Sequence, residues 1–333
     1  MSATPPVLAL PEASDDLSAR LTDGLERVER MIHERARNDD EFITEANLHL
    51  AQAGGKRFRP MLTMLIAELG EGVNDAVVAA AAGVELTHLA SLYHDDVMDE
   101  ADLRRGAPSA NARYDNSTAI LVGDLLFGTA SDIIADLGAD AVKIQAQTFI
   151  RLCSGQIRDD RPCPAGQDPR EYYRGVLADK TGALVATAAR YGAMYSGSSP
   201  ELVELATEYG ERLGIAFQLA DDLIDISSES GETGKTPGTD LREGKRTLPV
   251  LNALASTDPA DAELQELLGS QLKDPARIDR ALELLRAHPG LAAAREETLA
   301  MGRDAVEALA PLPASDAKEA LIALMEGVVH RVG

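Results

Sequence analysis

The 333-residue sequence predicts an all-α fold, and three observations support this prediction. Ala and Leu are the two most frequent residues, and both lose little free energy on becoming helical. Aromatic residues make up only 4% of the chain, so aromatic strand formers are sparse. Apolar residues recur at helical spacing, and no segment shows the apolar-polar alternation of a half-buried strand.

Helical periodicity starts at about Leu17 and continues, with interruptions, along the chain. Residues 1–16, rich in Pro and acidic side chains, are predicted to be a flexible tail, and residues 17–333 a single large domain. Polar segments 158–167 and 227–244 are predicted loops, and the second is long enough for a lid or binding loop. The predicted helical segments are 17–31, a second run ending at 50, 62–70, 76–99, 119–137, 141–155, 171–195, 200–226 and several shorter helices after Pro249.

Charge and cysteine content exclude several classes of protein. A net charge of −23 argues against nucleic acid or an anionic membrane surface as the main partner. Cys153 and Cys163 are the only cysteines and have no flanking histidine, so a reduced cytoplasmic protein is expected. The N-terminal segment lacks the pattern of a secretory signal. Glu85 and His88 interrupt the longest apolar run, so a buried core helix is expected there and no transmembrane segment.

Two aspartate-rich segments, 95–99 (DDVMD) and 221–225 (DDLID), each lie inside an apolar helical stretch. Carboxylates at i and i+4 of a helix share one face and repel by about 0.2–0.5 kcal/mol per pair, which a bound cation relieves. Oxygen-only ligand sets suit Mg²⁺, which completes its shell with water and substrate phosphates. One such segment could be a solvated acidic face, but two together favour metal sites.

Basic residues concentrate near these acidic segments. Segment 54–60 (GGKRFRP) places three cations after two glycines, and Arg104 and Arg105 follow the first acidic segment. Arg offers a planar fork and Lys a point charge to a doubly charged phosphate group, so a diphosphate site is predicted. A plain basic loop is the alternative at 54–60.

Three further polar groups belong to the same interpretation. Lys180 and Thr181 could contact phosphate, although an ordinary polar turn within a helix is the alternative. Gln218 precedes the second acidic segment by three or four positions on the same helix face. The loop at 227–244 contains Lys235 and is followed by Lys245.

These motifs, in this order, resemble the trans-type isoprenyl diphosphate synthases, the polyprenyl synthetase family. The resemblance covers about residues 20 to 330. It implies an isoprenoid synthase fold of about a dozen helices around a deep central cavity, usually as a homodimer. Members join isopentenyl diphosphate head to tail to an allylic diphosphate such as farnesyl or geranylgeranyl diphosphate. The motifs are GGKRFRP (54–60), HDDVMDEADLRRG (94–106), DKTG (179–182), FQLADDLIDI (217–226) and GKTPGTDLREGKRTLP (234–249).

The resemblance assigns a role to each motif residue. About three Mg²⁺ ions are implied, held by Asp95 and Asp99 with Asp96 in support, and by Asp221 with Asp222 and Asp225 opposite. The implied isopentenyl diphosphate contacts are Lys56, Arg59, His88 and Arg105, with a buried core histidine as the alternative for His88. The implied allylic diphosphate contacts are Arg104, Lys180, Thr181, Gln218, Lys235 and Lys245.

The resemblance implies that product length depends on Ala90 and Ser91, which precede the first motif Asp by five and four positions. Their small side chains leave the path of the growing tail open, so the pattern is most similar to long-chain synthases. Leu125, Phe127 or Met194 could close the cavity, and geranylgeranyl diphosphate synthase is the alternative function.

Other classes of protein fit the sequence less well. A terpene cyclase typically mixes Asn, Ser or Thr and Glu in its second metal site, whereas this chain has only Asp there. A partner-requiring, non-catalytic subunit predicts lost aspartates or a lost Lys56 and Arg59, and all are present. An EF-hand needs a Gly-containing twelve-residue loop, which neither acidic segment has.

Overall fold

The structure is a computed structural model that describes residues 13–228, 237–270 and 272–332. Within these residues the all-α prediction is confirmed, and the one sheet is a two-stranded hairpin. The helices are α1 (Asp15–Arg35), α2 (Glu41–Gln52), α3 (Phe58–Ala67), α4 (Asp75–Met98), α5 (Ala110–Arg113), α6 (Asn116–Ala135), α7 (Ala139–Asp159), α8 (Pro169–Leu177), α9 (Ala183–Tyr195), α10 (Pro200–Ser227), α11 (Thr239–Glu243), α12 (Leu248–Leu254), α13 (Ala262–Leu268), α14 (Pro275–Ala287), α15 (Pro289–Ala308) and α16 (Asp316–Val329).

The chain forms two compact units whose boundaries fall within α7, α9, α10 and α16 and between α15 and α16. The first comprises Met1–Phe149, Leu184–Gly210 and Leu312–Ala323, and the second comprises Ile150–Ala183, Glu211–Pro311 and Leu324–Gly333. The single domain over residues 17–333 therefore stays a prediction. Helix α1 begins at Asp15, where the side chain of Ser14 accepts a hydrogen bond from the backbone of Leu17, so the predicted start was late by two residues.

Helix α4 is the central helix of the first unit. Its Ala-rich first half is almost wholly buried, as the lack of a polar stripe in that part of the sequence predicts. The hydroxyl of Tyr93 lies in the core, where it donates to the carbonyl oxygen of Ala46 and accepts from the backbone N–H of Leu50 at 3.3 Å. These bonds satisfy a buried polar group and fix α2 against α4.

Small residues allow α9 to approach α3 closely within the same unit. A Cβ on Gly192 would lie 2.2 Å from the carbonyl oxygen of Thr63, so a larger residue does not fit there. Thr63 donates to the carbonyl oxygen of Ala188 at 3.0 Å. The Ala-rich sequence of α9 thus serves close helix packing in this unit.

A short hairpin after α4 was missing from the sequence prediction. Strand β1 (Leu103–Arg104) pairs antiparallel with β2 (Ala107–Pro108). The two turn residues, Arg105 and Gly106, both have positive φ, at 55° and 78°. A two-residue hairpin turn requires this backbone. Gly106 was the sequence signal that could have predicted the hairpin.

The second unit has its own apolar core, built from the C-terminal part of α10 and from α12 to α15. Leu223 and Ile226 of α10 are buried in it, together with Leu248, Leu282 and Leu285. Leu223 and Ile226 lie on a different side of α10 from the half-buried Asp221. The amphipathic pattern of the helix therefore directs Asp221 away from this core.

A π-helical turn, Ala178–Gly182, joins α8 to α9 and contains Lys180 and Thr181. The predicted helix at 171–195 is therefore helical throughout but changes its hydrogen-bonding pattern at these residues. Single π-helical turns inside α-helices occur often at functional sites.

Two described helices, α4 and α6, are long and apolar enough to cross a membrane by length and composition alone. The apolar window of α4 is 72% buried inside the protein, which is typical of a core helix. That of α6 is only 39% buried. Helix α6 therefore exposes apolar side chains that a core helix such as α4 buries.

Candidate active site

The first acidic segment forms the last turn of α4, where the three aspartates have different surroundings. Asp95 is half-buried and Asp99 is exposed, whereas Asp96 is fully buried. Because Asp95 and Asp99 are four residues apart in the helix, their carboxylates lie on one accessible face. The predicted carboxylate pair is therefore present at the end of this helix.

Asp96 is held by the hairpin that follows α4. The Nε of Arg104 donates to its Oδ1 at 2.6 Å, while Oδ2 has no hydrogen-bond partner among the described residues. An unpaired buried acceptor costs about 1–3 kcal/mol, so a cation or water beside Oδ2 would stabilise it. Arg104, predicted to contact the allylic diphosphate, lies beside this motif and is only partly exposed.

A second feature of the first unit is a cluster of basic side chains made by Arg59, His88 and Arg105. Burial lowers the pKa of Arg59, and so does the charge of Arg105, although Glu85 opposes them. Burial and then the charges of Arg59 and Arg105 hold the pKa of His88 well below its ordinary value, so its imidazole is neutral at pH 7. The buried Nε of Arg59 has no hydrogen-bond partner among the described residues. Such a cluster favours binding of an anion.

Glycine backbone conformations bring Arg105 into this cluster. Gly55 has a φ of 142°, and a Cβ there would lie 2.6 Å from the guanidinium of Arg105. Arg105 donates to the carbonyl oxygens of Gly54 and, at 3.3 Å, of Leu50. The two glycines of the 54–60 segment therefore allow the hairpin arginine to reach the loop. Lys56, in the same loop, is exposed.

Arg57 has a role that the sequence interpretation missed. Its side chain is buried, forms an ion pair with Glu29 of α1 and contacts Glu85 of α4 at 3.3 Å. It also donates to the carbonyl oxygen of Ala51 at 2.8 Å. Arg57 is thus a structural cation that fixes the loop between α2 and α3. The sequence alone does not distinguish three neighbouring cations.

Each aspartate of the second acidic segment has a different partner within the second unit. Asp221 forms an ion pair of 3.1 Å with Arg331, and both side chains are about one-third exposed. Asp225 accepts hydrogen bonds of 3.1 Å from the backbone N–H groups of Thr239 and Asp240. It therefore caps α11 and ties that short helix to α10.

Asp222 is buried and is held by Tyr173 and Gln218. The hydroxyl of Tyr173 donates to Oδ2 at 2.5 Å, and the amide of Gln218 donates to Oδ1 at 3.2 Å. Burial and the charge of Asp240 raise the pKa of Asp222 to about 8, although both hydrogen bonds oppose this shift. The predicted residue Gln218 thus contacts the motif directly, and Tyr173 is a partner that the sequence interpretation missed.

Lys180 and Lys245 come together in the second unit on one carboxylate. Their ammonium groups lie 2.8 and 2.9 Å from the same oxygen of Asp159, and Lys245 also contacts Asp160 at 3.2 Å. Asp159 was assigned to a polar loop by the sequence interpretation, but it is the last residue of α7. Thr181 is half-buried in the π-helical turn, and Lys235 lies outside the described residues.

Among residues 13–228, 237–270 and 272–332, no group of three or more His, Cys, Asp or Glu side chains is spaced to hold a metal ion. Mg²⁺ in phosphate-binding sites normally uses one or two carboxylates and completes its shell with water and substrate phosphates. The accessible pair Asp95 and Asp99, beside the unpaired Oδ2 of Asp96, is a donor set of that kind.

Comparison with known proteins decides the family. The sequence model of the polyprenyl synthetase family matches residues 40–285. The chain is 47% identical over 317 residues to nonaprenyl diphosphate synthase of Mycobacterium tuberculosis, with 95% of each protein covered. The chain belongs to the polyprenyl synthetase family.

Solved structures agree with this assignment. A decaprenyl diphosphate synthase from Rhodobacter capsulatus superposes with a TM-score of 0.88 at 35% identity and covers 96% of this chain and 99% of its own. A geranylgeranyl pyrophosphate synthase from Corynebacterium glutamicum, complexed with calcium and isoprenyl diphosphate, gives a TM-score of 0.87 at 44% identity, with 96% and 98% covered. Both are helical proteins of the predicted fold class.

Members of the polyprenyl synthetase family are trans-polyprenyl diphosphate synthases, and this chain is a prenyltransferase of that kind. The predicted family and enzyme class are therefore confirmed. The long-chain relatives also support the prediction of a long-chain product, and the geranylgeranyl alternative has no better support. The roles of the individual site residues stay predictions.

Proposed function

We propose that this chain makes a long-chain all-trans polyprenyl diphosphate by repeated head-to-tail addition of isopentenyl diphosphate to an allylic diphosphate. The observation that carries the proposal is the buried Nε of Arg59, which has no partner among the described residues and lies in a cluster with Arg105 and the neutral His88. A guanidinium with a buried, unpaired N–H donor is stabilised by an anion, and a diphosphate supplies several oxygens to such donors.

Isopentenyl diphosphate binds at this cluster through Lys56, Arg59, His88 and Arg105. Arg59 and Arg105 provide planar guanidinium groups, and the exposed Lys56 adds a point charge in the loop between α2 and α3. A neutral His88 donates one N–H without adding a further buried charge. This arrangement fixes the diphosphate end and leaves the double bond of the substrate unrestrained by polar groups.

The allylic diphosphate, farnesyl or geranylgeranyl diphosphate, binds through Arg104, Lys180, Thr181, Gln218, Lys235 and Lys245. Mg²⁺, about three ions, would be held by Asp95 and Asp99 and by Asp221 and Asp225, with Asp96 and Asp222 supporting the two motifs. When bound, it neutralises the charge of the diphosphate leaving group. The ion pair between Asp221 and Arg331 is partly exposed, and such pairs are worth about 0–1 kcal/mol, so Asp221 is available at small cost.

The reaction is an ionisation followed by condensation and elimination. The allylic C–O bond breaks as cationic side chains of the site take up the charge of the departing diphosphate. The double bond of isopentenyl diphosphate then attacks the allylic cation, and a proton leaves to restore a double bond. The neutral His88 lies in the diphosphate cluster of the first unit, so we assign the role of base to the released diphosphate.

A long product fits the residues before the first acidic motif. Ala90 is fully buried and Ser91 half-buried, and neither side chain is large enough to stop a growing tail. Helix α4 has 24 residues and is about 36 Å long, similar to the extended length of about eight isoprene units. Phe127 stacks on Phe149 at 3.9 Å, so this pair is a candidate for closing the path in the first unit.

A homodimer in the cytoplasm is the proposed state of the enzyme. The large apolar side chains Ile120, Leu121 and Leu125 of α6 are 43%, 66% and 39% exposed. Contiguous exposed apolar residues on one helix mark an interaction surface. A second copy of the chain would cover this apolar face, and the net charge of −23 argues against an anionic membrane there.

A product assay tests the proposal. Purified protein is incubated with Mg²⁺, labelled isopentenyl diphosphate and farnesyl diphosphate, and the dephosphorylated products are sized by chromatography. Products of about seven to ten isoprene units are expected. Arrest at four units would favour a geranylgeranyl diphosphate synthase, and no Mg²⁺-dependent elongation from any primer would contradict the proposal.

A further inference from the structure

One face of the last two turns of α7 contacts the π-helical turn that carries Lys180. Arg151, Gly155, Arg158 and Asp159 lie on this face because the last three follow Arg151 by four, seven and eight positions in the helix. Their contacts all belong to the second unit. The face contacts two residues proposed to bind the allylic diphosphate, Lys180 and Lys245, but lies outside the motifs named above.

Gly155 allows the two elements to approach. A Cβ at this position would lie 2.5 Å from the backbone nitrogen of Lys180, so any larger residue would push the π-helical turn away from α7. Asp159 lies one helical turn after Gly155 and is thereby brought within hydrogen-bond reach of the Lys180 side chain. The close approach thus sets the position of the lysine.

Ion pairs of Asp179, the residue before Lys180, also hold the π-helical turn against α7. Asp179 accepts from Arg151 at 2.9 Å and from Arg158 at 3.0 Å, and Arg151 also contacts Glu211 at 2.6 Å. The backbone of the turn is therefore tied to α7 at Asp179, while its next side chain, Lys180, is held by Asp159.

Lys245 reaches the same carboxylate from another element. It follows α11, and its backbone N–H donates to the carbonyl oxygen of Asp240 at 2.8 Å. Helix α11 is capped by Asp225 of the second acidic motif. The contacts therefore run without interruption from the motif through α11 and Lys245 to Asp159.

The carboxylate of Asp159 is 13% exposed and shared by two ammonium groups. Burial by itself would raise its pKa, but Lys180 and Lys245 outweigh burial and hold the pKa below the ordinary value for an aspartate. Without a shared anion, two lysines so close together repel and spread over many rotamers. Each ammonium group has three N–H donors, and the bond to Asp159 uses one of them.

We propose that Asp159 is a positioning residue that holds Lys180 and Lys245 ready for the diphosphate of the allylic substrate. The inference rests on the proposed function of the two lysines. Asp159 lies outside both aspartate-rich motifs and aligns the two lysines without needing to touch the substrate itself.

The test compares Asp159→Asn with the matched control Asp160→Asn. Asp160 is the next residue in the chain, is 52% exposed and contacts Lys245 alone of the two lysines. In the metal-free and substrate-free protein, the rates of acylation of individual lysines by an amine-reactive ester are measured by mass spectrometry. Asp159→Asn should raise the rates at both Lys180 and Lys245, whereas Asp160→Asn should leave the rate at Lys180 unchanged.

Steady-state kinetics provide the second measurement. Loss of one charge-assisted hydrogen bond per lysine should raise the KM for farnesyl diphosphate about tenfold in Asp159→Asn, with the KM for isopentenyl diphosphate within about twofold of the original. Asp159→Glu, which keeps the charge, should restore most of the loss. Equal rises in both KM values, or unchanged lysine acylation in Asp159→Asn, would overturn the proposal.

If Asp159→Asn does not fold, lysine acylation of the unsubstituted protein still tests the proposal. There, Lys180 and Lys245 should react at least about fivefold more slowly than the exposed Lys143, because their ammonium groups are ion-paired. Equal rates at the three lysines would overturn the inference. The acylation measurement needs no enzyme activity, so it remains decisive even if the unsubstituted protein fails to elongate any allylic diphosphate, which would contradict only the proposed function.

Discussion

Tyr173, which is partly buried, donates a hydrogen bond of 2.5 Å to the buried Asp222, the middle carboxyl of the second acidic motif. Burial, with the nearby charge of Asp240, raises the pKa of Asp222 to about 8. The hydrogen bond does not abolish this shift. In the metal-free protein the carboxyl therefore carries a proton near neutral pH.

The raised pKa predicts a pH-dependent stability of the metal-free protein. The folded state binds this proton more tightly than the unfolded state, so the stabilisation is complete below pH 3.8, the ordinary pKa, and is lost as pH rises through about 8. Asp222→Asn cannot ionise. Between pH 5 and 7, the free energy of unfolding of the variant should rise relative to that of the original protein by up to about 1.4 kcal/mol per pH unit.

Urea denaturation in the presence of a chelator, repeated from pH 5 to 9, measures this difference. Asp279→Asn on α14 is the control, because Asp279 is exposed. The control should follow the original protein at every pH. Parallel curves for Asp222→Asn and the original protein would mean that Asp222 is ionised throughout.

The first acidic motif predicts different results for neighbouring aspartates. Asp95→Ala and Asp99→Ala should lower kcat by orders of magnitude and retain the helical far-ultraviolet signal, because both side chains lie on the accessible face of α4. Asp96→Ala should also lower the free energy of unfolding by about 3 kcal/mol, because Arg104 loses a buried partner at 2.6 Å.

The measurements are kcat at saturating Mg²⁺ and thermal unfolding, with Asp102→Ala as an exposed control outside the acidic segment 95–99. Near-normal turnover of Asp95→Ala or Asp99→Ala would refute the metal assignment. Unchanged stability of Asp96→Ala would show that its pair with Arg104 contributes little.

Helical periodicity and composition were sufficient to predict the fold class, because most helices here bury one apolar face or are apolar throughout. The motif residues were also identifiable, since carboxylates and cations at fixed spacing have few other uses. Asp159 and Tyr173 were not, because their partners Lys180, Lys245 and Asp222 lie 21 or more positions away in sequence. Such pairings depend on how helices pack, and no local pattern in one sequence records them.

Arg57 and Lys56 should respond oppositely to the same substitution. Arg57→Met leaves Glu29 and Glu85 without their shared buried cation and should cost about 3–5 kcal/mol of unfolding free energy. Lys56→Met, at an exposed position, should cost less than about 0.5 kcal/mol but raise the KM for isopentenyl diphosphate. Urea denaturation and steady-state kinetics of both variants provide the comparison. If Arg57→Met were as stable as the original protein, its assignment as a structural cation would be wrong.

The size of the side chain at Ser91 is predicted to control product length. Its hydroxyl donates to the carbonyl oxygen of His88 at 2.8 Å, and the side chain is only half-buried, so a larger residue is better tolerated here than at the fully buried Ala90. Ser91→Phe should shorten the main product by several isoprene units, because the ring blocks the path beneath the first motif. Chromatography of dephosphorylated products measures the change, and Ser91→Ala should leave the length as it was. An unchanged product distribution in Ser91→Phe would place the tail elsewhere.

The exposed face of α6 predicts the assembly state. Leu121 is 66% exposed and lies one helical turn from Leu125, so a charge at Leu121 would be desolvated in any dimer that covers this face. Leu121→Glu should weaken dimerisation by at least about 100-fold, as measured by sedimentation at several protein concentrations. Leu103→Glu is a matched control, because Leu103 is 65% exposed but lies on the hairpin. If both variants dimerise as the original chain does, α6 is not the interface. If the original chain is itself monomeric, the apolar face needs a different partner.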